Sequence, residues 1–157
     1  MRKIRNLIGM PVLAGGRKLG RLLQADLSDD LKRLEGVWVD CGFKGTRYIP
    51  VESLSMIGEM AVFTDGIGKR RRISAPPILR RAVSTDGRRI GAIVGAEIDE
   101  LTFLVGALEL ARGFWDDLFA PRGRVEAFAA RTDSNEVIVL DADGKSEGRQ
   151  ENEERFD

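Results

Sequence analysis

Met10-Pro-Val-Leu-Ala-Gly-Gly-Arg-Lys-Leu-Gly-Arg-Leu-Leu-Gln-Ala-Asp-Leu27 returns, at an offset of 71, as Arg81-Ala-Val-Ser-Thr-Asp-Gly-Arg-Arg-Ile-Gly-Ala-Ile-Val-Gly-Ala-Glu-Ile98. Five of the 18 pairs are identical: Val12/Val83, Gly16/Gly87, Arg17/Arg88, Gly20/Gly91 and Ala25/Ala96. Six more are conservative, among them Leu19/Ile90 and Asp26/Glu97. Chance supplies about one identity over such a length, so the chain is read as an internal repeat.

The repeated unit has the signature of β structure. Ala14-Gly15-Gly16-Arg17 and Thr85-Asp86-Gly87-Arg88 are hairpin turns in which Gly16 and Gly87 are free to take positive φ. Beyond each turn the apolar residues alternate. Leu19, Leu23, Ala25 and Leu27 share one strand face; Ile90, Ala92, Val94, Ala96 and Ile98 share the matching one. Gly20 and Gly91 fall on the opposite face, where a missing side chain admits a bend or a close backbone approach. Leu22 and Ile93 share that opposite face and are nevertheless apolar. A barrel wall turns polar residues outward, so this pair is read as a contact joining the two copies or two chains.

Further strands follow at Gly36–Asp40, at Arg47–Val51 with Pro50 marking an edge or strand end, and at Met60–Thr64. Leu104–Leu110 and Glu136–Leu140 are their counterparts in the second copy. Copies of about 65 residues that must bury one face of such strands predict small twisted barrels. Between these strands the copies diverge. Phe114, Trp115, Leu118 and Phe119 lie at i, i+1, i+4 and i+5, one side of a short helix that Pro121 ends. Asp116 and Asp117 sit in its first turn, where acidic side chains meet the helix dipole favourably. The cluster Phe114, Trp115 and Phe119 is read as packing between the copies or as a partner-binding face. The organisation is therefore a first repeat at 1–67, a basic, proline-containing linker at 68–78, a second repeat at 79–142 and an acidic tail, expected to be disordered, at 143–157.

Composition restricts the chemistry. The 157 residues include no His and a single Cys, Cys41. This excludes His-based triads, general bases and metal ligands, and it excludes an intrachain disulfide. Cys41 without a His to activate it is read as a small buried hydrophobe. No ligand set for a metal or cofactor is visible, and no enzyme is expected. No stretch reaches the roughly 18 apolar residues of a membrane span, and no apolar core follows the basic start Met1–Arg5, so the cytoplasm is the expected location.

Lys plus Arg equals Asp plus Glu at 25 each, but the balance is uneven. From Asp141 to Asp157 seven acids against three bases leave −4. From Lys69 to Arg89 eight bases against Asp86 leave +7. Lys69, Arg70, Arg71 and Arg72, with Arg80 and Arg81 beyond Pro76-Pro77, are candidates for contact with RNA phosphates or an acidic surface; the alternative is a solvated linker.

A Gly hairpin, an alternating strand with a second Gly, a strand-Pro-strand element and a closing strand resemble the PRC-barrel domain family, a β-barrel known from the reaction-centre H subunit and a ribosome-maturation factor. The resemblance covers residues 7–66 and 79–141. It rests on Val12, Gly16, Leu19, Gly20, Tyr48, Ile49 and Pro50 in the first copy and on Val83, Gly87, Ile90 and Gly91 in the second. The second copy lacks the Tyr-Ile-Pro element. The resemblance implies a mainly β protein: two PRC-barrel-like β-barrels in tandem, with a short helix in the second copy. It implies a non-catalytic docking or scaffold protein that mediates protein–protein contacts, without membrane insertion. The alternative is an RNA- or ribosome-associated factor using the basic segment Lys69–Arg89.

Overall fold

Both copies of the repeated segment are hairpins in the computed structural model, which describes residues 1–74, 78–112 and 123–140. The expected helix with Phe114, Trp115 and Phe119, the Pro76-Pro77 pair and the acidic tail lie outside the described residues. The chain begins with the two-residue strand β1 (Arg2–Lys3), followed by β2 (Pro11–Ala14), β3 (Arg17–Leu27), β4 (Leu34–Asp40), β5 (Thr46–Pro50), β6 (Leu54–Ile57), β7 (Val62–Thr64) and β8 (Lys69–Arg70). The second series is β9 (Arg80–Val83), β10 (Arg89–Ile98), β11 (Val105–Ala111), β12 (Gly123–Val125), β13 (Phe128–Ala130) and β14 (Glu136–Val139). The protein is mainly β and forms two curled half-barrel sheets.

The strand order is β6-β7-β2-β3-β4-β5-β8 in one sheet and β13-β14-β9-β10-β11-β12 in the other. Position for position these are the same path, with β8 added to the first. In each, the strand that opens the hairpin also pairs in parallel with a later strand, β2 with β7 and β9 with β14. Strand β12 stands where the first copy has its Tyr-Ile-Pro strand: Leu108 faces Val125 as Val37 faces Ile49.

The two glycines after the turns have a steric cause. A Cβ on Gly20 would run into the carbonyl oxygen of Asp40, and one on Gly91 into that of Ala111. Only glycine lets β3 lie that close to β4, and β10 that close to β11. Gly16 and Gly87 both take positive φ, 79° and 86°. The turns themselves differ in length. Ala14 faces Arg17 across a two-residue turn, whereas the Ser84 N–H donates to the Arg88 carbonyl across three residues. Gly20 therefore faces Val12, while Gly91 faces Ala82 rather than Val83. The ungapped alignment holds along β3 and β10 and is one residue out along β2 and β9.

Leu22 and Ile93 do not point outward. They are 1% and 0% exposed, whereas Leu23, expected on the core face, is 37% exposed. The cause is a bulge. The pairing of β3 with β4 skips a residue between Leu22 and Gln24, and one extra residue reverses the phase of a two-residue alternation. In β10 the buried positions run Ile93, Ala96, Ile98, with the same change of phase. Cys41 is half-buried rather than buried, and desolvation pushes its thiol pKa up.

By contacts the described chain divides into two compact units, 1–74 with 96–106, and 78–95 with 107–112 and 123–140. The first is filled by Leu7, Val12, Leu22, Leu34, Trp38 and Ile49, the second by Ile93, Leu108, Val125, Phe128 and Val137. The far end of the β10–β11 hairpin is bonded into the first unit. The Leu34 N–H donates to the Phe103 carbonyl (2.9 Å), the Val105 N–H to Lys32 (2.8 Å) and the Ile57 N–H to Glu100 (3.0 Å), while β1 pairs with Glu97 and Ile98.

Candidate binding edge of the first sheet

Lys69 and Arg70, inside the segment read as a linker, form edge strand β8. Arg70 lies opposite Arg47 and Lys69 opposite Tyr48 on β5. The Arg71 N–H extends the ladder by one bond, to the Thr46 carbonyl (3.0 Å). Like charges facing each other across strands oppose pairing, so other contacts must hold this edge. Arg47 supplies one set: its Nε donates to the Ile67 carbonyl and its Nη2 to that of Gly68, each at 2.9 Å. Gly68 supplies another. At φ 65° it carries no side chain, and a Cβ there would collide with the Tyr48 carbonyl oxygen.

The third set is aromatic. Trp38 on β4 and Tyr48 on β5 are direct cross-strand partners, with ring centroids 4.9 Å apart and planes tilted by 60°. The Arg71 guanidinium lies 4.5 Å from the Tyr48 centroid and 5.8 Å from that of Trp38, within cation–π range of both. The Tyr48 hydroxyl donates to Asp26 Oδ2 at 2.7 Å. Burial first, then this hydrogen bond, push the Tyr48 pKa above its ordinary value, so the phenol stays a neutral donor. Gly36 completes the arrangement, since a Cβ there would meet the tyrosine oxygen. At the corresponding cross-strand positions the second sheet carries Glu109 opposite Arg124.

Strand β8 ends beside the β4–β5 turn, Cys41-Gly42-Phe43-Lys44-Gly45. The Gly42 N–H donates to Asp40 Oδ1 (2.9 Å), and the Cys41 N–H to the Gly45 carbonyl (3.0 Å). Arg70 lies against this turn, its Nε 2.9 Å from where a Gly45 Cβ would stand. Phe43 projects from the tip with relative exposure of 110%. Lys44, Lys69, Arg70 and Arg72 are all exposed, and none makes an ion pair with a described acid.

The basic run expected from the sequence is thus shared between units. Lys69, Arg70, Arg71 and Arg72 belong to the first. Arg80 and Arg81 open β9 in the second, where Arg81 faces Glu136 and approaches it to 3.9 Å. Sequence reasoning missed Phe43 and Lys44, whose one signal was an aromatic enclosed by turn glycines. It also missed the Asp26–Tyr48–Trp38–Arg71 cluster, which depends on cross-strand register. Among the described residues no helix is long and apolar enough to cross a membrane. Neither family models nor curated proteins yield a match to this sequence.

Proposed function

We propose that the chain is a non-catalytic docking protein of the PRC-barrel type, with two barrel-like repeats in tandem, that receives a polyanionic partner along the basic edge of its first sheet. The observation that carries this reading is the set of four exposed cations, Lys44 on a turn, Lys69 and Arg70 on an edge strand and Arg72 two residues beyond it, without described acids paired to them. Holding like charges together on a rigid edge is unfavourable until an anion arrives, which makes the edge a standing attractor for one. The absence of His supports a binding role over a catalytic one. The common strand order of the two sheets supports the tandem reading, and free Cys41 suits a cytoplasmic location.

An acidic protein surface and an RNA backbone both satisfy such an edge. Capture from a lysate by full-length protein, with and without nuclease, separates them. The double variant Arg70→Glu, Arg72→Glu should lose the captured partners, because both side chains are exposed and their reversal leaves the fold intact. Equal capture by wild type and variant would refute the assignment of this edge.

A further inference from the structure

We infer that the β4–β5 tip and edge strand β8 bind single-stranded RNA, with one base stacked on Phe43 and neighbouring phosphates on Arg70, Arg72 and Lys44. This rests on the reading of the edge as a polyanion site and names its occupant.

The ring of Phe43 decides among occupants. It is the one fully exposed aromatic among the described residues, and it rises from a turn whose other exposed members are Gly42 and Lys44. A membrane-anchoring tip gains affinity from apolar area, and this tip offers a single apolar side chain. A knob that docks into a protein pocket gains from being held in place, and Phe43 has no neighbour bracing it. Base stacking needs only an open π-face, and every base supplies the matching one. The charges suit the same ligand. Four of the five cations on β5, on β8 and on the two residues after it are guanidiniums: Arg47, Arg70, Arg71 and Arg72, with Lys69. Guanidiniums match phosphate oxygens in pairs. Arg70 rests against Gly45, two residues from Phe43, so the guanidinium of β8 lies beside the turn that carries the stacking face. Asp40, the acid of this hairpin next to the turn, is already engaged with the Gly42 N–H. A base paired in a duplex cannot reach a lone protruding ring, whereas RNA loops and ends present unstacked bases.

The experiment is fluorescence anisotropy of a labelled uridine 12-mer with the full-length chain at 50 and 200 mM salt. Three phosphate contacts give a slope of about −2 in log affinity against log salt, hence a loss of about 20-fold between the two conditions. Phe43→Ala should weaken binding by about 5- to 150-fold without changing that slope, and Phe43→Trp should restore it. Arg70→Gln should reduce the slope by about 0.7. A 12-mer without bases should bind wild type no better than it binds Phe43→Ala. Circular dichroism confirms that the variants fold. If Phe43→Ala binds the 12-mer as wild type does, stacking is refuted while the polyanion reading stands. If wild type ignores the 12-mer but binds poly-glutamate or phosphatidylglycerol vesicles through Arg70 and Arg72, the RNA inference fails and the edge is still a polyanion site. Binding to none of the three overturns both.

Discussion

Leu31 and Phe103 hold left-handed backbone, at φ 58° and 61°, and are the only non-glycine residues described that do so. Each lies in the turn that follows a long strand, β3 or β10, and each is buried, 2% and 8% exposed. The Leu31 N–H donates to the Ser28 carbonyl (2.9 Å), which fixes the conformation. An L-residue there gives up about 1–2 kcal/mol. Burial of the leucine side chain returns about 1.5–3 kcal/mol. Two substitutions separate these contributions. Leu31→Ala keeps the backbone cost and loses the packing, for a destabilisation of about 2–5 kcal/mol. Leu31→Gly loses the same packing and also removes the backbone cost, while adding about 0.5–1 kcal/mol of unfolded-state entropy. Glycine should therefore be the more stable replacement, by about 0.5–1 kcal/mol. At Leu34, an ordinary strand position that is equally buried, the order should reverse. Urea unfolding followed by Trp38 fluorescence in a Trp115→Phe background measures both pairs. With slopes of about 1–3 kcal/mol/M, the midpoints at position 31 should differ by a few tenths of a molar. Greater stability of Leu31→Ala than of Leu31→Gly would refute the left-handed turn and the reasoning built on it.

Gly20→Ala and Gly91→Ala should each destabilise by about 1–3 kcal/mol, because the added methyl must displace a neighbouring strand's carbonyl; denaturant midpoints check this, and neutral substitutions would contradict the close approach. Tyr48→Phe should cost about 1 kcal/mol at pH 7 through loss of the bond to Asp26. The folded-state pKa of Tyr48 is raised, so its contribution is fully present below the unfolded value of about 10 and is lost as pH rises through the folded value. Wild type and Tyr48→Phe should thus converge in strongly alkaline solution, and parallel pH profiles would refute the assignment. Deleting residues 144–157, which carry acids in excess, should strengthen RNA binding at low salt; unchanged affinity in the anisotropy assay would show that the tail does not compete.

The hairpins and the glycines that follow them were legible because they are local and occur twice. The phase of β3 was not. A period-two pattern carries no mark of an inserted residue, and the shift between Leu22 and Gln24 moved the core from Leu23 to Leu22. The same blindness placed Leu22 and Ile93 on an outer face. At β8 a dense charge and nearby prolines argued for solvated chain. What makes Lys69 and Arg70 a strand is contact with residues remote in sequence: Arg47 bonds the carbonyls of Ile67 and Gly68, and Tyr48 lies against Gly68 and under Arg71. Of the candidate site, the cations of 69–72 were visible from composition. The stacking face was not, because Gly42 and Gly45 mark a turn around Phe43 without saying whether its ring is exposed or buried.

Because Ala96–Gly106 belongs to the first unit, that unit is not finished when its own repeat has been synthesised. A ribosome that has just released residue 74 has supplied seven strands of one sheet and β1, but not the carbonyls of Phe103 and Glu100 that receive the Leu34 and Ile57 amides, nor the strand on which β1 pairs. At about 5–20 residues per second, the 32 residues from 74 to 106 take a few seconds more. For that interval the ends of β1, β4 and β6 wait with open hydrogen-bonding groups, and β1 gains its strand partner only after β10 has emerged. The order of translation and the order of completion therefore differ: the earlier repeat closes late, on chain that the later one delivers.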